Sequence, residues 1–304
     1  MHPTLLQFGR FAIHSYGLML AIAFLVAIQV FLARGRARGL SEDRLSTLSL
    51  WLLVLAIIGG RAFFVVTHWD DYKADPLAIV KLWEGGLMIY GGYILAIVGG
   101  IAYVRRAGMP VWRVADAAAP GMAIGVGIGR IGCFLNGCCF GLPTHAPWGI
   151  RFPASSYSTA VFPGEALQPS QLYMVAAGLG LFLLLLALDR KPRFDGALFW
   201  TYVAIDAGLR FAIDFTRYYD DASTLGRIGG LTFNVNQAVS VGLIAVSIVM
   251  LRVLARRPAV PVEAAAVVGA DASGAAAPQD GIPAPSDDAP EARAGDRIRS
   301  EPRA

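Results

Sequence analysis

The stretch Leu45–Val66, "LSTLSLWLLVLAIIGGRAFFVV", carries a single charge, Arg61, placed toward its end. About 20 mostly apolar residues cross the ~30 Å of a bilayer's hydrocarbon as a helix, so this stretch is long enough to span. An arginine inside a span costs from ~2.5 kcal/mol upward and normally faces a bundle interior or a wet cavity. Leu45–Val66 therefore reads as one member of a bundle. Six other stretches share its character: Tyr16–Ala33, Gly86–Val104, Val114–Phe134, Gln171–Leu188, Ala197–Phe215 and Gln237–Val253. The expected fold is an all-α polytopic membrane protein of about seven transmembrane helices. Composition agrees: only 16% of the 304 residues are charged, too few for a soluble chain of this length. Val114–Phe134 is the least regular of the seven, rich in Gly and Ala and interrupted by Pro120. Small residues nevertheless let membrane helices approach closely.

The first stretch is not a secretory signal, because Arg34, Arg36 and Arg38 follow the apolar run, whereas signals carry their cations ahead of it. Lysine and arginine positions set the orientation. Arg34, Arg36, Arg38 and Arg44 follow the first span; Arg105, Arg106 and Arg113 the third; Arg190, Lys191 and Arg193 the fifth; Arg252, Arg256 and Arg257 the seventh. The intervening connections are poorer, with Lys73, Lys81, Arg151, Arg217 and Arg227. The positive-inside rule then places the N-terminus outside and the C-terminus in the cytoplasm. The net charge of +4 is mostly this bias, and no nucleic-acid footprint is visible in it. Residues 1–257 make one membrane domain. Residues 258–304, rich in Ala, Pro and Asp and without an aromatic residue, read as a disordered cytoplasmic tail. No internal repeat is apparent. Two outer connections are long: Thr67–Gly85 is aromatic and acidic, and Phe140–Ser170 has an alternation suited to short strands over the outer mouth.

Polar residues within the spans cluster toward one side. With that orientation, Tyr16, Arg61, Tyr90, Arg130, Asn136 and Arg210 all fall in the outer half, which points to one polar site facing the outer leaflet. In the sixth span Asp206, Arg210, Asp214 and Arg217 share a helix face by their spacing. A self-neutralising ion ladder is the plain reading for Asp206, Asp214 and Arg217. Arg130 and Arg210, from different helices near the headgroup level, suit a phosphate, since guanidinium offers planar, permanently charged, bidentate donors. Arg61 either joins them or anchors a neighbouring helix. The paired glycines at 59–60, 91–92 and 99–100 either permit close helix packing or let backbone approach a headgroup.

All three cysteines, 133, 138 and 139, lie in "GRIGCFLNGCCFG", residues 129–141. Their C-x₄-C-C spacing matches neither a zinc site nor a redox C-x-x-C. Buried thiols, a local disulfide, pocket lining, and metal or redox chemistry stay open.

That segment resembles the signature of the bacterial prolipoprotein diacylglyceryl transferase family. Gly129-Arg130-Ile131-Gly132, Phe134, Asn136-Gly137 and Gly141 match it. So, in the family's order, do "IHSYGLM" at 13–19, "GGRAFFV" at 59–65, "LWEGGLMIYGG" at 82–92, "PSQLY" at 169–173 and "LRFAIDFTR" at 209–217, with "NQAVS" at 236–240 a vaguer match. The resemblance implies an enzyme of the bacterial inner membrane. It would move the diacylglyceryl group of phosphatidylglycerol onto the lipobox cysteine of a prolipoprotein, without metal or cofactor. It also implies that Arg130 and Arg210 bind the phosphate, with Tyr16, Asn136 and Gly141 at other functional positions. The outer loops 67–85 and 140–170 would receive the signal peptide.

The chain departs from that pattern at four places. Tyr90 stands where the family often has a histidine proposed as base, Cys133 and Cys138 replace an asparagine and a glutamate, and Asp206 replaces a tyrosine. The lost histidine is the smaller matter. A thiol of pKa near 8.5 is roughly 3% thiolate at pH 7, so full deprotonation gains about thirtyfold. Removing a preorganised donor to developing charge costs about 10²–10³. Arg130 and Arg210 are therefore expected to outweigh Tyr90 among the groups acting on substrate. Two alternatives stand beside the enzyme: a relative that only binds anionic phospholipid, and a thiol oxidoreductase using the three cysteines.

Overall fold

The computed structural model describes residues 4–8, 11–73, 75–81, 85–154, 156–190, 194–219, 224–228 and 231–256. The expected tail, 258–304, lies outside them, as do Lys191, Arg193 and Arg257. Among the described residues, five helices are long and apolar enough to cross a membrane: α1 (Ser15–Ala37), α2 (Glu42–Thr67), α5 (Val111–Asn136), α7 (Ser170–Asp189) and α9 (Val235–Ala255). Two 18-residue helices, α4 (Ile89–Arg106) and α8 (Ala197–Asp214), complete the bundle. The short helices α3 (Trp69–Tyr72) and α6 (Tyr157–Val161) lie in the connections.

Helix α5 packs on α1, α7 and α8, while α2 packs on α4 and α8 on α9. Small residues make these contacts. A Cβ on Gly121 would stand 2.6 Å from the Ala27 carbonyl of α1, and one on Gly178 of α7 would stand 2.9 Å from the backbone of Gly127. The helix runs unbroken through Pro120, which bundle neighbours make tolerable in a membrane helix. Between α2 and α4 the backbones nearly touch: a Cβ on Gly59 would lie 2.4 Å from the Gly91 carbonyl, and one on Gly91 would lie 2.3 Å from the Gly59 carbonyl. These paired glycines serve close packing.

The arginines used for orientation gather at one end of the bundle. Arg34 Nε is 3.4 Å from Asp189 Oδ2, and Arg38 pairs with the same carboxylate, which brings the ends of α1 and α7 together. Arg44 donates to the Ala107 carbonyl at 2.8 Å, joining the start of α2 to the end of α4. Arg113 bridges to Asp195 at 3.0 Å, and the buried Asp116 accepts from the Gly196 and Phe199 amides at 2.8 Å each. The carboxylate of α5 thus caps the start of α8, occupying amides that a helix leaves unpaired.

Two β-hairpins add to the helices where sequence analysis placed none. Strand β1 (Thr4–Phe8) pairs with β2 (Phe11–His14), and β3 (Thr224–Ile228) pairs with β4 (Leu231–Asn234). Each runs directly into a long helix, α1 or α9, and each has an irregularity after its first pair. The pairs Thr4↔His14 and Phe8↔Phe11 correspond to Thr224↔Asn234 and Ile228↔Leu231. A hairpin–helix unit is therefore repeated, with the same backbone register and only Thr4/Thr224, Leu5/Leu225 and Gly9/Gly229 identical in sequence. The expected strands in Phe140–Ser170 are only isolated bridges, Pro143↔Leu167 and Ile150↔Leu167, beside α6. Pro143, Pro147 and Pro153 remove donors that a ladder needs.

Replacing Gly91 by Ala should push α2 and α4 apart at a backbone-to-backbone contact. Overpacking of this kind costs about 1–3 kcal/mol, so a lowered thermal midpoint of the detergent-solubilised protein is expected; an unchanged midpoint would contradict the packing.

Candidate lipid-headgroup site

The end of the bundle opposite the arginine cluster carries the polar residues singled out from sequence. Helix α5 ends there on Gly137, whose φ of 74 leaves the right-handed range. The Gly137 and Cys138 amides return to the Phe134 and Cys133 carbonyls at 3.2 and 3.1 Å, the pattern of a Schellman stop. This fixes Arg130 and Asn136 in the last two turns. Gly132 lets α1 come close, since a Cβ there would meet Met19 Cβ at 3.0 Å and Tyr16 Cδ2 at 3.4 Å. The contact sets Tyr16 beside α5, within electrostatic range of Arg130 and of all three cysteines.

Arg130 and Arg210 are both half-buried, and neither makes a hydrogen bond or ion pair with another described residue. They are nonetheless linked, because Asp206 of α8 lies within electrostatic range of both, Arg210 more strongly than Arg130. The structure thus brings Tyr16, Arg130, Asp206 and Arg210 into one neighbourhood. Asn136 sits beside Cys138 and is exposed.

Tyr90, in the first turn of α4, is 65% exposed. No hydrogen bond joins it to Arg130 or Arg210 among the described residues.

Arg61 is different. Its Nε donates to the Ile79 carbonyl at 2.8 Å, Nη1 to Gly85 and Gly86 at 2.6 and 3.0 Å, and Nη2 to Ala78 and Lys81 at 2.7 and 3.3 Å. A guanidinium has five N–H donors, and all are taken by the loop between α3 and α4. Tyr72 covers its face at 5.3 Å.

The ladder on α8 is formed only at its far end. Arg217 lies 3.7 Å from Asp214 and 4.7 Å over the Tyr219 ring. The Tyr219 hydroxyl donates to Asp214 at 2.7 Å, and burial pushes its phenol up to about 12, so it stays a donor at neutral pH. Asp206 and Arg210 do not pair at contact distance among the described residues.

The 140–170 segment folds over this end. Phe140, Phe152 and Leu167 form a small core, and Phe140 stacks on Tyr218 at 5.7 Å. Gly141 is locked between two strands of chain: its amide donates to the Gln168 carbonyl at 3.0 Å, and a Cβ would meet Gln168 and Thr216 atoms at 2.5 Å. Gln171, fully buried, donates to the Cys138 carbonyl at 2.8 Å. Ser170 donates to the Thr216 carbonyl at 3.1 Å. Gln171 and Arg217 had no role from sequence beyond motif and ladder; a glutamine at the start of an otherwise apolar span was the available signal. The capping box of Asn234 and Gln237, bonded at 3.0 and 3.1 Å, starts α9, and Gln237 reaches the Phe211 carbonyl of α8 at 3.3 Å.

Known proteins share this chain's pattern. The family model described as prolipoprotein diacylglyceryl transferase matches residues 3–253. A phosphatidylglycerol–prolipoprotein diacylglyceryl transferase of Geobacter sulfurreducens is 33% identical, over 85% of this chain and 97% of its own. One from Lactiplantibacillus plantarum is 34% identical, over 80% of this chain and 86% of its own. Another, from Clostridium perfringens, is 34% identical over 67% and 79%.

Arg61→Lys should release the loop, because an ammonium replaces five fixed donors by three. Bonds from charged donors contribute about 1.5–3 kcal/mol each, so a loss of at least ~3 kcal/mol is expected. Faster hydrogen exchange at 76–88 is the measurement; unchanged exchange would remove the anchoring role.

Proposed function

The chain belongs to the prolipoprotein diacylglyceryl transferase family, and on that premise we propose that it transfers the diacylglyceryl group of phosphatidylglycerol to the lipobox cysteine of prolipoproteins. The cysteine sulfur bonds to the glyceryl carbon, that carbon's bond to the phosphate oxygen breaks, and glycerol phosphate leaves. The thiol proton passes to a base or to water. The incoming thiol belongs to the protein substrate.

The observation that carries the reading is the pair of half-buried guanidinium groups on α5 and α8 that have no contact partner among the described residues and share Asp206 as neighbour. An uncompensated charge so placed is costly, and an anionic headgroup offsets that cost. As the phosphate departs, negative charge grows on its oxygens, and donors already aimed there stabilise it without reorganising. Arg130 and Arg210 are therefore the groups that hold phosphate and assist its departure. Tyr16 and Asn136 border the headgroup. Gly141 acts through packing, keeping 168 and 216 together beneath the outer cap. Tyr90 relays the proton, a lesser contribution. Arg61, with its donors engaged, holds the loop and stays off the headgroup.

In this reading α4 and α8 join the five longer helices as spans. Their ends meet the same arginine-rich pole as those of α2 and α5, so successive helices alternate in direction and seven crossings result. The arginine-rich pole faces the cytoplasm, the N-terminus lies outside, and the site opens to the outer leaflet of the bacterial inner membrane. The caps at 67–85 and 140–170 receive the signal peptide.

Full-length protein in phosphatidylglycerol vesicles, given a lipobox peptide, should add the mass of a diacylglyceryl group to the peptide. Arg130→Ala and Arg210→Ala should each slow this by about 10²–10³, and Tyr90→Phe by no more than about thirtyfold. Retained transfer in Arg130→Ala with abolished transfer in Tyr90→Phe would reverse the assignment. An unmodified peptide alongside retained lipid would leave a phospholipid-binding protein.

A further inference from the structure

The transfer reaction has no use for Cys133, Cys138 or Cys139, yet the fold gathers them. Their Sγ atoms all lie within 4.8 Å of one another, and none is in a disulfide. Two left-handed residues produce the convergence. Gly137 ends α5 at φ 74, and Cys139 takes φ 59, alone among the described non-glycine residues. Side chains of adjacent residues in extended chain point apart; the turn at Cys139 instead lets residues 138 and 139 both face Cys133. Gln171 holds the bend through the Cys138 carbonyl at 2.8 Å, and the Cys138 amide is tied to Cys133 at 3.1 Å.

We propose that Cys133, Cys138 and Cys139 form a three-thiolate metal site for a soft cation, Cu(I), in trigonal coordination. Three sulfurs about 2.3 Å from a central ion stand about 4 Å apart, so the observed spacing contracts by less than about 1 Å on binding. The donors select the ion. Thiolates favour Cu(I), whereas zinc prefers four ligands, and no histidine or carboxylate joins this group among the described residues. Three thiolates around a monovalent ion carry two net negative charges, and the site lies in the positive field of Arg217 and Arg130, both within electrostatic range of Cys139. Cys133 is buried, while the other two are half-buried and leave a way in. Binding releases the thiol protons and transfers no electron.

The site is tested on the full chain in detergent, anaerobically, with Cu(I) supplied from a competing chelator and no lipid substrate, so the outcome is independent of transfer activity. One Cu(I) per chain is expected, with X-ray absorption showing three sulfur neighbours. Loss of even an outer-shell partner weakens metal sites 10–100-fold, so Cys133→Ser and Cys139→Ser should each weaken binding by at least about 100-fold. Wild-type affinity in both variants, with folding verified by an unchanged thermal midpoint, would overturn the site. So would a disulfide between any two of the three in protein acid-trapped from the membrane, since the outer face of a bacterial inner membrane favours disulfides.

Discussion

Close backbone approach along α5 is the constraint from which the site follows. With Gly121 against α1, Gly127 against Gly178 of α7, and Gly132 against Tyr16, the helix has neighbours on several sides at near backbone distance. In a bilayer no hydrophobic force drives helices together, so packing of small residues must do it. The consequence is positional. Tyr16 is pressed against the last turns of α5, within electrostatic range of Arg130. A larger residue at Gly132 would push Met19 and Tyr16 of α1 away from α5.

The two ends of the bundle treat charge in opposite ways. At one, Arg34, Arg38 and Arg113 find carboxylates, and Asp116 finds two amides. At the other, Asp214 Oδ1 meets Arg217 and Tyr219, and Arg61 makes five carbonyl contacts, while Arg130 and Arg210 have no contact partner among the described residues. Paired charges fix structure. In the proposed function the unpaired ones at the membrane boundary take a ligand, and that contrast separates scaffold from site.

The departures from the family pattern have different physical weight. Tyr90 changes a group whose service to a thiol is limited by how acidic that thiol already is. Asp206 lies within electrostatic range of both guanidiniums and pairs with neither at contact distance among the described residues. Cys133 and Cys138 alter the lining next to Arg130 and, with Cys139, create a cluster that belongs to this chain's own chemistry.

Hydropathy and the spacing of Lys and Arg were enough to find every long helix and to sort polar residues to one end, because both signals are local sums along the chain. The short motifs identified the family for the same reason. Partnership was not legible. Whether Arg61 served lipid or loop depended on five carbonyls from 78–86, and whether three cysteines met depended on two left-handed residues, Gly137 and Cys139. The hairpins before α1 and α9 escaped notice because three identities in eleven residues, Thr4/Thr224, Leu5/Leu225 and Gly9/Gly229, are too few to stand out without the shared register of backbone pairs. Sequence determined that helices cross and what each carries; folding alone decided which charges are spent on one another, since pairing is a matter of distance between residues far apart in the chain.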